Sequence, residues 1–308
     1  MAIEVEPLRC RGRENTFIGA LDAAARAMGD EAGYPFLMGA SGAAFRIQFH
    51  QPDWCPSSPD AMCGFDCARR ALAALGREGS FHFESEAGPE LRRALSESLD
   101  AGRPALGAGL IGPLDWGVVA GYRDAGRTPL CLTYWNKGEA PEPAEKWPMV
   151  LLLLGERTDP PDRSMLFTQS FDIARELWST PAYERYASGA AAYSAWARDL
   201  RDEARFGFLD QEELARLQHI NGWCYLSLCD ARQAALAYLR EAPAEIRVEH
   251  ALRLFGEVCE ILEGARKAAP LPWKLADHER WTSEMRQGQA EALDAARRVE
   301  ARAVKVLP

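Results

Sequence analysis

Over residues 14–28 the apolar side chains Phe17, Ile18, Leu21, Ala24, Ala25 and Met28 recur every three or four positions, which predicts a helix with one buried face. Gly29 and Asp30 punctuate it. Past a turn around Gly33 to Pro35, Ala43, Phe45, Ile47 and Phe49 alternate with Ala44, Arg46, Gln48 and His50. That period of two predicts a strand with one apolar and one polar face. Two short helices follow, over 66–76, ending at Gly76, and over 89–99, with Pro89 at its start and Gly102 just past its end.

From Pro104 the pattern changes to PALGAGLI, WGVVAGY, PLCLTYW and PMVLLLLG, separated by turn residues, which reads as an antiparallel meander. The stretch TDPPDRS, residues 158–164, connects two units in this reading. Beyond it, helices are expected over about 181–205, 210–241, 245–268 and 277–304, with Trp223, Leu226, Cys229, Ala234 and Leu236 on one buried stripe. The pattern as a whole predicts an α+β fold: a mixed domain over 1–160 followed by an all-helical bundle over 165–308.

Composition narrows the function classes. With 308 residues, 47% hydrophobic and 26% charged, the chain can bury two ordinary cores and is not of disordered composition. No run of eighteen apolar residues occurs, and the beginning of the chain has no apolar signal-peptide core, so a cytoplasmic protein with no membrane partner is expected. Eight cysteines then read as reduced thiols. Net charge is −9, with 17 basic against 23 acidic residues up to residue 170 and 19 against 22 after it. Neither part has the basic excess that a nucleic acid backbone demands.

Candidate chemistry gathers around residues 36–55. The turn GASG could aim Ser41 and backbone N–H groups at an anion, or simply allow a tight bend. Arg46 on an inner strand must find a carboxylate, a ligand or solvent, with a structural ion pair to Asp53 or Asp66 as the alternative to substrate recognition. Gln48 shares its face. Trp54 and Trp116 suit either pocket walls or core. His50, Cys55, Cys63 and Cys67 do not follow a zinc-knuckle spacing, so neither a metal nor another cofactor is expected.

The order of an opening helix, the segment MGASGAAFRIQF and then GLIGPLDWGVVAGY resembles the papain-like fold of the bacteriocin-processing cysteine peptidases and the butirosin-biosynthesis protein H N-terminal family, over roughly residues 8–155. It is most similar to a bacterial subgroup that carries a like turn, a WC motif and a helical C-terminal domain. The resemblance implies a cysteine at the start of the first helix that attacks an acyl group. It also implies a histidine on the strand leading into Val118 and Val119. Here the cysteine slot before Asn15 holds Gly12 or Arg13, with Cys10 slightly upstream, and the histidine slot reads Asp115, Trp116, Gly117.

The resemblance therefore implies one of two things. The first is an acyl-handling enzyme of small-molecule biosynthesis, an amide-forming acyltransferase or amidohydrolase acting on a small-molecule or carrier-bound acyl substrate, with Cys10 as nucleophile, His50 as base and Arg46 as carboxylate clamp. The second is a binding protein of the same fold that lacks the catalytic pair, its ligand met by Ser41, Arg46, Asp115 and Trp116. A further expectation, drawn from Arg286, Arg297, Arg298 and Arg302 on the last helix, is self-association as a homodimer.

Overall fold

A computed structural model describes residues 2–8, 13–83, 88–159, 161–271 and 281–308. In chain order the elements are α1 (Thr16–Ala27), α2 (Tyr34–Ala40), β1 (Gln48–His50), α3 (Cys67–Ala74), β2 (Arg77–His82), α4 (Pro89–Asp100), β3 (Ala105–Ala108), β4 (Trp116–Arg123), β5 (Thr128–Leu132), β6 (Glu142–Pro143) and β7 (Val150–Arg157). There follow α5 (Arg163–Ser179), β8 (Ala182–Tyr183), β9 (Tyr186–Ser188), α6 (Gly189–Leu200), α7 (Glu203–Gly207), α8 (Gln211–Arg240), α9 (Glu249–Gly264) and α10 (Ser283–Lys305). The architecture is mixed α/β, with a helical C-terminal region. No helix among the described residues is long and apolar enough to cross a membrane.

The chain divides into two compact units. Unit 1 comprises Met1–Leu37 and Ala68–Asp162; unit 2 comprises Met38–Cys67 and Arg163–Pro308. The segment carrying Arg46 and His50 therefore belongs with the helical part of the chain.

Unit 1 is built on a six-stranded antiparallel sheet in the order β2-β7-β3-β4-β5-β6. Its middle strands form the expected meander, while β7 returns to pair with β3 and carries β2 on its outer edge. Both faces are buried, as the near-continuous apolar strands require. On one face Val119, Ala105 and Cys131 meet Leu91, Leu95 and Leu99 of α4. On the other, Val118, Leu106, Leu132 and Leu152 are sealed from solvent beneath α1, whose Phe17 meets Trp116 edge to face at 5.0 Å. Each large side chain buried in this way contributes about 1.5–3 kcal/mol.

In unit 2 the expected strand over 43–50 shortens to three residues, because 34–40 is helical and 41–45 turns. β1 joins β9 and β8 in a small antiparallel sheet, so this unit is not all-helical. The expected helix over 181–205 begins only at Gly189, because β8 and β9 occupy its first residues. α8 is buried around most of its circumference: Cys224, Tyr225, Leu228, Arg232 and Tyr238 are enclosed, whereas Trp223, Leu226 and Leu236 are half-buried. Of the predicted stripe, Cys229 and Ala234 are buried and the other three only half-buried, so periodicity located the buried side in part.

The GASG turn is explained by packing. A Cβ at Gly39 would lie 2.0–2.3 Å from ring atoms of Tyr238, which is stacked on Phe167 with centroids 4.2 Å apart. Gly39→Ala is accordingly expected to cost about 1–3 kcal/mol, the ordinary penalty of overpacking. Urea unfolding reads this directly, and an unchanged midpoint would show that the ring can move aside.

Candidate functional site

In unit 1 the junction that would carry chemistry in a papain-like protein lies where α1 begins and β4 starts. Asn15 caps α1 through its Oδ1, which accepts from the Ile18 N–H at 3.1 Å, satisfying an orphan donor of the first turn. Thr16 follows, and its Oγ1 accepts from the backbone N–H of Trp116 at 3.2 Å. The Asp115 carboxylate accepts from the indole N–H of Trp135 at 2.9 Å. Trp116 itself is buried, its indole packed against Phe17. Trp135 and Leu114 beside it are substantially exposed, so a carboxylate lies beside apolar surface here. Cys10 falls outside the described residues.

Among the described residues of unit 1, no imidazole stands at this junction. His82 is the sole histidine within the sequence ranges of unit 1. It lies on the edge strand β2, paired in register with Leu151 of β7, with β3 between β7 and β4.

The remaining sequence-predicted residues all belong to unit 2, and most are committed to holding it together. Ser41 is buried, donating from Oγ to the Met38 carbonyl and accepting from the Ala43 N–H, both at 3.3 Å. That makes a turn, not an anion site. Trp54 packs edge to face against Phe49 at 5.3 Å and donates to Asp199 at 3.3 Å; it too is core. Gln48 is buried, and its Oε1 accepts from the Phe65 N–H at 3.4 Å.

Arg46 requires a correction. The residue is 5% exposed, and its guanidinium donates to four backbone carbonyls, those of Pro59, Asp60, Cys63 and Phe65, at 2.5–3.2 Å. A planar fork with its two terminal nitrogens so engaged has little left to offer a substrate carboxylate. Neither is it the ion pair to Asp53 or Asp66 considered above. It is a strut for the 59–65 loop.

His50 is half-buried. Its Nδ1 meets the Asp53 carbonyl oxygen, an atom that can only accept, so the ring proton resides on Nδ1. In the β1–β9 register His50 stands opposite Tyr186, the rings 5.1 Å apart, and burial, with Cys63 next in effect, raises the Tyr186 hydroxyl above its ordinary value. The structure thus brings His50 together with Tyr186. No periodicity in the sequence links these positions, because the pairing is made by strand register between distant segments. Burial, with Asp60 nearby, raises Cys63 above its ordinary value; burial likewise pushes Cys224 up to about 12 and Cys259 up to about 11. None of these three is an activated thiolate. Among the described residues no three His, Cys, Asp or Glu side chains converge as metal ligands do. No protein-family model matches the chain, and no curated protein matches it.

Proposed function

We propose that the chain is a papain-like protein without a working Cys/His pair, binding a small molecule at the end of unit 1 where α1 meets β4. The observation that carries this reading is the pairing of Thr16 with Trp116, at the junction where an acyl-transfer enzyme of that fold needs a thiol and an imidazole. An antiparallel sheet with α1 lying across β3 and β4 supports the fold assignment. Asp115 beside the exposed parts of Trp135 and Leu114 suits a ligand that offers an amine or other donor on an apolar body. The competing reading, an acyl-handling enzyme with Cys10 as nucleophile, would need its base from outside unit 1.

Labelling by iodoacetamide between pH 6 and 9, with the modified cysteines mapped by mass spectrometry, tests this. Every cysteine is expected to label as slowly as an ordinary or buried thiol, with reaction only approaching pH about 8.5. Rapid modification of Cys10 at pH 6 would overturn the proposal in favour of the enzyme. On the binding side, primary amines carrying an aromatic body are expected to raise the melting temperature where the matched carboxylic acids do not. Asp115→Asn should abolish that difference.

A further inference from the structure

The two edges of the unit 1 sheet are built differently. β6, at one end, is two residues long and contains Pro143, which leaves little for another strand to add to. β2, at the other end, runs for six residues, Arg77–His82, with neither proline nor lysine. Its one irregularity, a register shift between Arg77 and Gly79, lies at its start. Among the described residues β2 pairs with β7 alone, so one row of its backbone N–H and C=O groups faces away from the sheet.

The side chains of β2 divide by face. Glu78, Ser80 and His82 share one, with Nε2 of His82 and Oγ of Ser80 3.2 Å apart. α4 does not close over that face: a cleft of about 390 Å³, lined by Glu78, Ser80, Glu97 and Leu153 among others, remains between them. Gly79 and Phe81 share the other face. A Cβ at Gly79 would lie 3.0 Å from Leu72, and the Arg69 guanidinium stands 5.0 Å from the Phe81 ring.

We propose that β2 is the contact between two copies of this chain, the strands adding antiparallel about a two-fold axis at Ser80, so that two six-stranded sheets become one. A second copy is the occupant this edge fits, because the strand is self-complementary about that residue. Glu78 then faces the partner's His82, a carboxylate opposite an imidazole N–H, and the same pair recurs across the axis. Ser80 faces the partner's Ser80, hydroxyl to hydroxyl. On the other face Phe81 meets the partner's Gly79, which brings no side chain of its own, and the ring extends toward the leucine packed there.

The pleat keeps facing residues on one face, so the register can slip only by two residues. Either slip sets Gly79 against the partner's Gly79 or Phe81 against the partner's Phe81, and both lose the pairing of acid with imidazole. The homodimer expected from the last helix is in this way built by unit 1 instead. It stands apart from the ligand proposed where α1 meets β4, and the failure of either leaves the other untouched.

Sedimentation of the full chain over a range of concentrations should show a monomer–dimer equilibrium, with the backbone amides of residues 77–82 exchanging more slowly at high concentration than at low. Ser80→Lys sets two ammonium groups opposite each other on the axis and should weaken association by about tenfold or more. Its urea midpoint should match the wild-type chain, since residue 80 is exposed. Under mild oxidation Ser80→Cys should form a disulfide between position 80 of the two copies, identified by peptide mapping, whereas Glu78→Cys should not link to its own counterpart. The mass of a single chain at every concentration, including one whose β2 amides are shielded by another segment of the same chain, would overturn the proposal. So would a dimer indifferent to Ser80→Lys, or one in which the thiol introduced at position 80 links only to other cysteines.

Discussion

Replacing Glu300 with alanine is expected to destabilise unit 2 by about 3–5 kcal/mol, the cost of leaving a buried charge without its partner. Arg232 is fully enclosed and Glu300 nearly so. The guanidinium donates from Nε and Nη2 to the two carboxylate oxygens at 2.8 and 2.7 Å. Tyr193 donates its hydroxyl to the same carboxylate at 2.7 Å. Burial, with Glu300 beside it, raises Tyr193 well above its ordinary value, so it remains a neutral donor. The remaining Arg232 contacts go to the carbonyls of Ala44 and Arg46, both at 3.0 Å, which is how the helices grip the 38–67 segment.

The loss should appear as a lower urea midpoint. The double variant Arg232→Met/Glu300→Leu should recover most of it, since a pair of apolar side chains leaves no stranded charge. A double variant no more stable than Glu300→Ala would show that the two carbonyls of the 44–46 turn, and not the charge pair, set the cost.

Arg46→Met is expected to cost about 2–4 kcal/mol, because loop carbonyls lose their donors and each buried, unsatisfied polar group costs about 1–3 kcal/mol, with partial relief where water enters. The effect should be local as well as global: backbone amides of residues 55–65 should exchange faster in Arg46→Met than in the wild-type chain. Arg46→Lys should recover only part, since a single ammonium cannot span four carbonyls that a planar fork reaches from two nitrogens. Unaltered stability and exchange in Arg46→Met would remove the guanidinium from any structural role.

The helix over 16–27 and the apolar strands around Gly107, Val118 and Leu152 were legible because each writes its period locally, in steps of three to four or two residues. The strand over 43–50 was not. Its alternation is real in the sequence, yet Gly39 and Gly42 admit a helix end and a tight turn, and only Gln48–His50 find a partner strand in β9. α8 misled for a related reason. A helix buried on nearly all sides has no single apolar stripe, and it takes a paired Arg232 into its core, where hydropathy alone would forbid it.

The candidate site divides along the same line. Asp115 and Trp116 could be named from the sequence because the resemblance puts them in the slot leading into Val118 and Val119; Thr16 was not singled out. Tyr186 beside His50 could not be named, because their meeting depends on the β1–β9 register.

What the sequence by itself determined is which segments are helix or strand in the opening helix, the meander and the long C-terminal helices, and that no histidine lies between His82 and His219. Local periodicity and composition suffice for that. Only the tertiary structure decided that the 38–67 segment belongs with the helices and that the Arg46 guanidinium serves loop carbonyls instead of a ligand. A buried donor takes whichever acceptors the folded chain brings within hydrogen-bonding distance, and that choice is made by residues remote in sequence.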